Sequence, residues 1–566
     1  MSESLSKNEG IKSRSRALRG GIAEGLAVPQ TGALEDDDTQ LTKFHGIYQQ
    51  DDRDLRAERG RTRMEPAYSF MARLRIPGGQ VTPAQWLALH EIARERANGT
   101  IRLTTRETVQ FHGILKGNLQ PAIAAINDML LDTIAACGDV NRNVICTVNP
   151  HESPAHRAAL RLAHELSDGL LPKSRAWHEI WLGETLVGGA PEEEPLYGAT
   201  YLPRKFKIAV AVPPQNDVDV FAHDLGFIAQ VVDGAVVGYD VTVGGGMGMT
   251  HGELDTFPRT GDLFGFCTPD QCVPVAAAVM QSQRDLGNRA VRKNARLKYT
   301  IERLGLEAFR KEVTTRLGFP LEPARGSVFT GTGDRLGWHE SADGSAQFGL
   351  FVENGRVADV GARMLLSGLH AIARIHGGSF ILTANQNLVI AGVRNRPAVS
   401  ALLAEYGLDA AHTPLRQAAM ACVALPTCGL ALAESERYLP TLITAIEAVM
   451  ASAGLADDGI VLRMTGCPNG CSRPYLAEIG LVGRGPGRYN LYLGAAADGT
   501  RLNKLYRRDL DHDAILASLS TLLHQYARER AHGERFGDFV IRAGHVAATT
   551  AGNRFHLDLG EVDHGR

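Results

Sequence analysis

The sequence predicts an α+β protein built by duplication of one large unit. The first observation is an internal repeat. Leu89-His90-x-Ile92-Ala93-Arg94 recurs as Leu369-His370-x-Ile372-Ala373-Arg374, and Gly99, Leu103, Thr104 and Gly113 recur as Gly378, Leu382, Thr383 and Gly392. The second is the shape of each copy, which reads as a helix, a glycine turn and a strand. The third is the spacing. The copies lie half a chain apart, which suits a duplicated domain and not a solenoid of short period. Elsewhere, strand-like runs (206–212, 235–243, 489–493) mix with helix-like runs (154–166, 273–284, 439–453, 511–530).

Composition bounds the function. With 566 residues, the chain has room for roughly three to five domains of about 100–200 residues. A net charge of -3 excludes a polybasic protein that coats nucleic acid or anionic lipid. No apolar run approaches the roughly 18 residues of a membrane span. Met1–Gly21 is polar and basic, without the apolar core of a secretory signal. The expectation is a soluble, cytoplasmic protein with no nucleic-acid or membrane partner. Residues 1–40 read as a flexible arm, and 44–63 as a charged segment wrapping the surface. Glycine is abundant, at 61 residues, which calls for many turns or close backbone approaches.

The cysteines carry the chemistry. Eight of them are too few for a disulfide scaffold of this size, yet they fall in four close pairs. Two pairs sit in turn-like sequence. Pro426 separates Cys422 from Cys428, and Pro468-Asn469-Gly470 separates Cys467 from Cys471. Loops of this kind let four thiolates converge on one centre. Four thiolates hold either zinc or an iron–sulfur cluster. The five residues between Cys422 and Cys428 are wide for a zinc ribbon and acceptable for a cubane cluster. Cys267 and Cys272 lack such company and read as structural.

Three segments concentrate positive charge. Residues 101–112, read as one strand, place Arg102, Thr104, Arg106, Gln110 and His112 on one face. Residues 289–298, read as one helix, place Arg289, Arg292, Lys293 and Arg296 on one face. In Arg204-Lys205-Phe206-Lys207, Lys205 and Lys207 share a face and repel each other unless an anion lies between them. Each pattern fits either a solvated face or an anion site. The glycine loop 243–248 lacks the spacing of a nucleotide-binding loop; it suits backbone lying against a flat group.

TGCPNGCSRPY (465–475), together with CxxxxxC, resembles the signature of the sulfite/nitrite reductase haemoprotein family. FHGIYQQDDRD, TIRLTTRETVQFHGILK, VNRNVICT, TYLPRKFK, VGGGMGMTHG, RKNARLKYT, TANQNLVIAGV and GRYNLYLG extend the similarity over nearly the whole chain. The resemblance implies a [4Fe–4S] cluster on Cys422, Cys428, Cys467 and Cys471, with Cys471 shared with the iron of sirohaem. It assigns Arg102, Thr104, Arg106, Gln110, His112, Arg204, Arg296, Gln386 and Asn469 to the cofactors. It assigns Arg73, Arg142, Lys205 and Lys207 to a small anionic substrate. The implied reaction is six-electron reduction of sulfite to sulfide in sulfate assimilation. The alternatives are reduction of nitrite and a non-catalytic iron–sulfur carrier. No flavin or nicotinamide fingerprint is present, so NADPH would act only through a flavoprotein partner, with ferredoxin as the other donor.

The implied fold is pseudo-two-fold, a central domain of two ferredoxin-like halves with two α/β lobes. The expected divisions are 1–64 (arm and wrap), 65–136 (first half), 137–336 (first lobe), 337–410 (second half) and 411–566 (second lobe, with the cluster cysteines). In the second half Ile381, Thr383 and Asn385 replace Arg102, Thr104 and Arg106, which predicts one working site and one relic. Cys137 and Cys146 are read as the remnant of that lost site.

Overall fold

A computed structural model describes residues 4–173, 180–182, 185–188 and 194–557. Four five-stranded sheets dominate it, in two matched pairs. The first central sheet runs in the order Ile47–Asp51, Tyr68–Arg73, Val109–Ile114, Ile101–Leu103, Arg356–Val357. The second runs Gly337–Glu340, Ala346–Leu350, Leu388–Val393, Ser379–Leu382, Gln80–Val81. Each sheet thus ends in a short strand supplied by the other half. Arg356 pairs with Arg102 and Val357 with Ile101, while Ile381 pairs with Gln80 and Phe380 with Val81.

In each half the helix of the repeated motif packs on the sheet, Pro83–Arg96 in the first and Leu365–Ile375 in the second. Thr82 caps the first helix and forms a capping box with Gln85. Trp86, Leu89, Ile92 and Ala93 from the first helix and Leu369, Ile372 and Ala373 from the second enter one shared core. At about 25 cal/mol per Å² of buried apolar surface, that core dominates the stability of the central domain.

The lobes repeat each other as well. One sheet runs Asp262–Cys267, Ala235–Val243, Leu225–Val232, Ile208–Ala211, Ile145–Cys146; the other runs Lys504–Leu510, Arg488–Leu493, Ile479–Gly485, Leu462–Thr465, Ala419–Ala421. In both, the last three strands are parallel and the others antiparallel. Counting from Ile208 against Leu462, Asp219 stands where Arg473 does. Both adopt the left-handed conformation and open a short 3-10 helix.

Three expectations change. The arm is not a free tail. Lys7–Arg14 is helical, and Ile11 and Leu18 join the core of the first lobe. Its Lys12 is buried against Glu9 at 2.5 Å and Asp139 at 3.6 Å. An apolar pair and a neutralised ammonium suffice to hold so polar a segment.

Residues 101–112 form a hairpin, not one strand. Thr104 N and O bond Thr108 O and Glu107 N, and Glu107 takes the left-handed conformation. Arg102 then faces Gln110 across the ladder, while Arg106 sits in the turn.

Residues 289–298 are not one helix either. Arg292–Asn294 is a 3-10 turn, and Arg296 caps the helix Leu297–Leu304. Arg289, Arg292, Lys293 and Arg296 therefore point to different acids: Glu9, Asp139, Glu253 with Asp255, and Asp224.

Candidate cofactor and anion site

The four cysteines converge. Cys422 follows the strand Ala419–Ala421, Cys428 lies in the loop after Pro426, and Cys467 and Cys471 flank the turn after Leu462–Thr465. All four line one cavity of about 500 Å³. Cys422 Sγ accepts from Gly466 N at 3.3 Å and Thr465 Oγ1 at 3.4 Å, and Cys467 Sγ accepts from Asn469 Nδ2 at 3.6 Å. Such donors favour thiolates. Yet burial pushes the Cys428 thiol up to about 11, with Cys471 and Cys422 adding to the shift, and Cys422 and Cys467 rise for the same two reasons. Four neighbouring thiolates need a cationic centre to exist together.

Arg53, from the charged segment 44–63, braces the cysteine loop. Its NH1 donates to Ala431 O at 2.7 Å. The glycine loop 244–248 closes the opposite side, with Met249 N bonded to Pro468 O at 2.9 Å. A Cβ on Gly245 would lie 2.5 Å from the backbone oxygen of His223 and closer still to that of Phe221, so the loop admits no side chain there.

The facing wall is cationic. Arg73, Arg102, Thr104, Gln110, His112, Arg142, Arg204, Lys205, Gln386 and Asn469 line the same cavity. Arg106, Lys207 and Arg296 line an adjoining recess that also holds Lys205, Asn469 and Cys471. The candidate residues thus gather around one centre.

Their charges are poorly compensated. Burial and then neighbouring cations drive Lys205 and Lys207 well below the ordinary lysine value, and bring Arg106 down to about 9 and Arg204 to about 10. Among the described residues, no carboxylate pairs with either lysine ammonium. Buried polar atoms also point nowhere: Arg106 Nε, Arg296 Nε, His112 Nε2 and Gln386 Oε1 lack partners. A large polyanion with a coordinated metal would satisfy these groups together, so the residues fit sirohaem beside an iron–sulfur cluster.

The residues differ in freedom. Arg73 donates to Cys137 Sγ at 2.8 Å, and Gln110, with its amide oxygen turned toward Arg73, accepts from Nε at 3.0 Å. Arg142 donates to the Gly138 carbonyl through Nε at 3.3 Å and NH2 at 3.1 Å. Arg102 is largely committed, to Glu436 Oε2 (2.8 Å), Asn354 O (2.8 Å) and Ala421 O (3.0 Å). Glu436 also binds Arg356 at 2.7 Å. One further cavity cation escaped the sequence reading, Lys43; Arg292, from the basic run 289–298, lines the cavity as well. Burial, with Arg292 and Arg204 nearby, brings Lys43 down to about 8. Glu436 and Asp224, which orient this cationic wall, were also missed. A lone acid carries no local pattern that would mark it.

The relic site lies elsewhere than at Cys137 and Cys146. Val212 N donates to Thr147 Oγ1 at 3.0 Å, as Gly466 N does to Cys422 Sγ. The same count puts Pro213 opposite Cys467 and Asp217 opposite Cys471. Cys146 falls one position early, inside its strand, and Cys137 lies behind the working cavity as the acceptor for Arg73. Asp217 Oδ1 accepts from Thr147 Oγ1 at 2.8 Å, and burial beside Asp334 pushes Asp217 up to about 6. Asp334 accepts from Thr383 at 2.6 Å, Asn385 at 3.0 Å and Asn387 at 2.8 Å. Protein thus fills the space that the twin cavity leaves open.

Comparisons with known proteins agree with this architecture. The Nitrite/Sulfite reductase ferredoxin-like half domain matches twice, at residues 63–129 and 339–406. The Nitrite and sulphite reductase 4Fe-4S domain matches residues 165–321, the lobe without the four converging cysteines. The chain is 58% identical to the sulfite reductase (NADPH) hemoprotein beta-component of Chromohalobacter salexigens, over 98% of both chains. It is 61% identical to the protein of the same name from Methylobacterium sp. (strain 4-46), over 99% of this chain and 94% of that one. Among solved structures, the NirA protein of Mycobacterium tuberculosis superposes with a TM-score of 0.78 at 25% identity, over 96% of this chain and 97% of that one.

Proposed function

Because the chain belongs to the nitrite and sulphite reductase family, we propose that its cavity carries out the six-electron reduction of sulfite to sulfide. It is an oxidoreductase with sirohaem and a [4Fe–4S] cluster as its cofactors. One observation carries the reading: four cysteines and a group of arginines and lysines with few paired carboxylates line one cavity of about 500 Å³.

When bound, the cofactor pair supplies electrons and an open iron position for the substrate sulfur. Cys422, Cys428, Cys467 and Cys471 would hold the cluster, with Cys471 shared with the haem iron. His112, Gln110, Arg204, Arg106 and Arg296 offer donors to the sirohaem carboxylates; Thr104, Gln386 and Asn469 line the same space, and Arg102 forms wall already tied to Glu436. Arg73, Arg142, Lys205 and Lys207 would grip the sulfite oxygens through charge-assisted bonds. As each S–O bond breaks, oxygen leaves as water, so protons must be delivered where charge develops. Arginine holds its proton too tightly for that task. The two lysines, their acidity raised by burial and by neighbouring cations, are the proton donors.

The name shared by the relatives supports an NADPH-linked flavoprotein as electron donor; ferredoxin is the alternative. No helix among the described residues is long and apolar enough to cross a membrane. None of the eight cysteines forms a disulfide, and that, together with NADPH, suits the reducing cytoplasm.

The test is an absorption spectrum with iron and acid-labile sulfide counts, followed by turnover of sulfite and of nitrite from a reduced dye. Faster consumption of nitrite would reassign the substrate. A colourless protein would remove the reading.

A further inference from the structure

We propose that Arg473, clamped by Asp219, is a positioning residue that holds the Cys471 loop on the pseudo-two-fold axis and so fixes where the bridging sulfur lies. This rests on the reading that Cys471 is the thiolate shared by the two cofactors.

The geometry is specific. Asp219 and Arg473 occupy equivalent places in the two lobes and form an ion pair with each other, Arg473 Nε to Asp219 Oδ2. The same carboxylate oxygen takes Arg463 NH1 at 2.6 Å. All three side chains are buried, and Asp219 is fully excluded from solvent. One carboxylate oxygen shared by two guanidiniums leaves this buried group with excess positive charge, a costly arrangement that the surrounding contacts must hold in place.

Arg473 spends its remaining donors on the other two units. NH2 donates to Ala384 O at 2.9 Å and NH1 to Thr105 O at 3.3 Å. Thr105 and Ala384 are themselves equivalent residues of the two half-domains, each following the threonine of the repeat. A single guanidinium therefore touches both halves and the opposite lobe.

Two residues earlier in the chain is Cys471, whose carbonyl accepts from Thr105 Oγ1 at 3.0 Å. The backbone at Arg473 is left-handed, with φ 54°, a conformation a non-glycine residue keeps only when its surroundings enforce it. The clamp supplies that enforcement. None of these contacts uses the sulfur, so their role is to place it.

The test uses the cofactor-loaded enzyme with Arg473→Lys and Asp219→Asn. Lysine keeps the charge but cannot reach Asp219, Thr105 O and Ala384 O together. Arg473→Lys is expected to shift the visible haem band and the midpoint potentials of both centres, and to slow sulfite turnover about 10–100-fold, as loss of groups that orient metal ligands does. Asp219→Asn should move the same signals in the same direction. The spectrum decides. A parental band and parental potentials in Arg473→Lys overturn the proposal whatever happens to the melting temperature or to Asp219→Asn. Cys471→Ser, prepared in parallel, separates the two ideas. Retention of both cofactors there overturns the bridging assignment, whereas their loss there beside a silent Arg473→Lys overturns only the positioning role.

Discussion

His90 and His370 lie against each other across the pseudo-two-fold axis, with ring centroids 4.3 Å apart. They are the same residue of the repeated motif, and the helices that carry them pack together in the central domain. Burial, and then the charge of His370, lower the pKa of His90. A histidine held below its unfolded value of about 6.5 binds fewer protons in the folded state. Stability is therefore complete above that unfolded value and falls as pH drops below it. His90→Phe is expected to lose less melting temperature than the parent between about pH 7 and pH 5.5; an equal loss in both would remove the pair from the account.

Glu436 is the sole carboxylate bonded to both Arg102 and Arg356 among the described residues. Glu436→Gln would leave two guanidiniums facing each other across a strand pair. Breaking a buried pair in this way costs about 3–5 kcal/mol; Arg356 is partly solvated, which places the expected loss near the lower figure. Burial would raise the Glu436 pKa, but Arg102 and Arg356 hold it lowered. The contribution is thus present at neutral pH and disappears as pH falls through the depressed value. Denaturant unfolding of parent and variant at neutral and acidic pH measures both effects.

Cys471→Ser is expected to lose sirohaem and cluster together, because one sulfur serves both. Iron and sulfide counts should fall toward zero while the far-ultraviolet dichroism stays parental. An intact haem spectrum would move the shared role to another residue.

Lys205→Met and Lys207→Met should keep the haem spectrum and lose sulfite turnover by about 10²–10⁴-fold, the range for removal of a proton donor. The remaining activity should fall as pH rises, since only the ammonium form can donate. Parental turnover in both variants would return the lysines to the role of wall.

The relic site predicts the metal content. Thr147, Pro213 and Asp217 stand where Cys422, Cys467 and Cys471 stand, and Asp334 occupies the facing wall. A fully loaded chain should contain about five irons, four in one cubane and one in the haem. A count near ten would mean that the twin site also binds.

The duplication was legible because LHxIAR is a long string, and the cluster ligands because cysteines in proline and glycine turns have few other uses. Periodicity failed where chain reversal intervened. The run 101–112 alternates well, but the Thr104–Thr108 turn folds it back, so that Arg102 and Gln110 share a face as cross-strand neighbours and Arg106 leaves it. The basic run 289–298 failed for a different reason: five acids, distant in sequence, pull its side chains apart. Glu436, Asp219 and Asp224 were invisible for the same cause, since each matters only through partners far along the chain. The relic was misplaced because cysteine identity was followed in place of strand register. Thr147 and Asp217 hold the positions without the chemistry.

The exchanged edge strands have a consequence for ancestry. Gln80–Val81 completes the sheet of the second half, and Arg356–Val357 completes that of the first. A single copy would leave that edge of its sheet open, whereas a symmetric pair trading those strands closes both. Joined in one chain, the two copies need not carry the same side chains. One kept the thiolates, the other kept the lysines, and the present catalyst spans the seam between them.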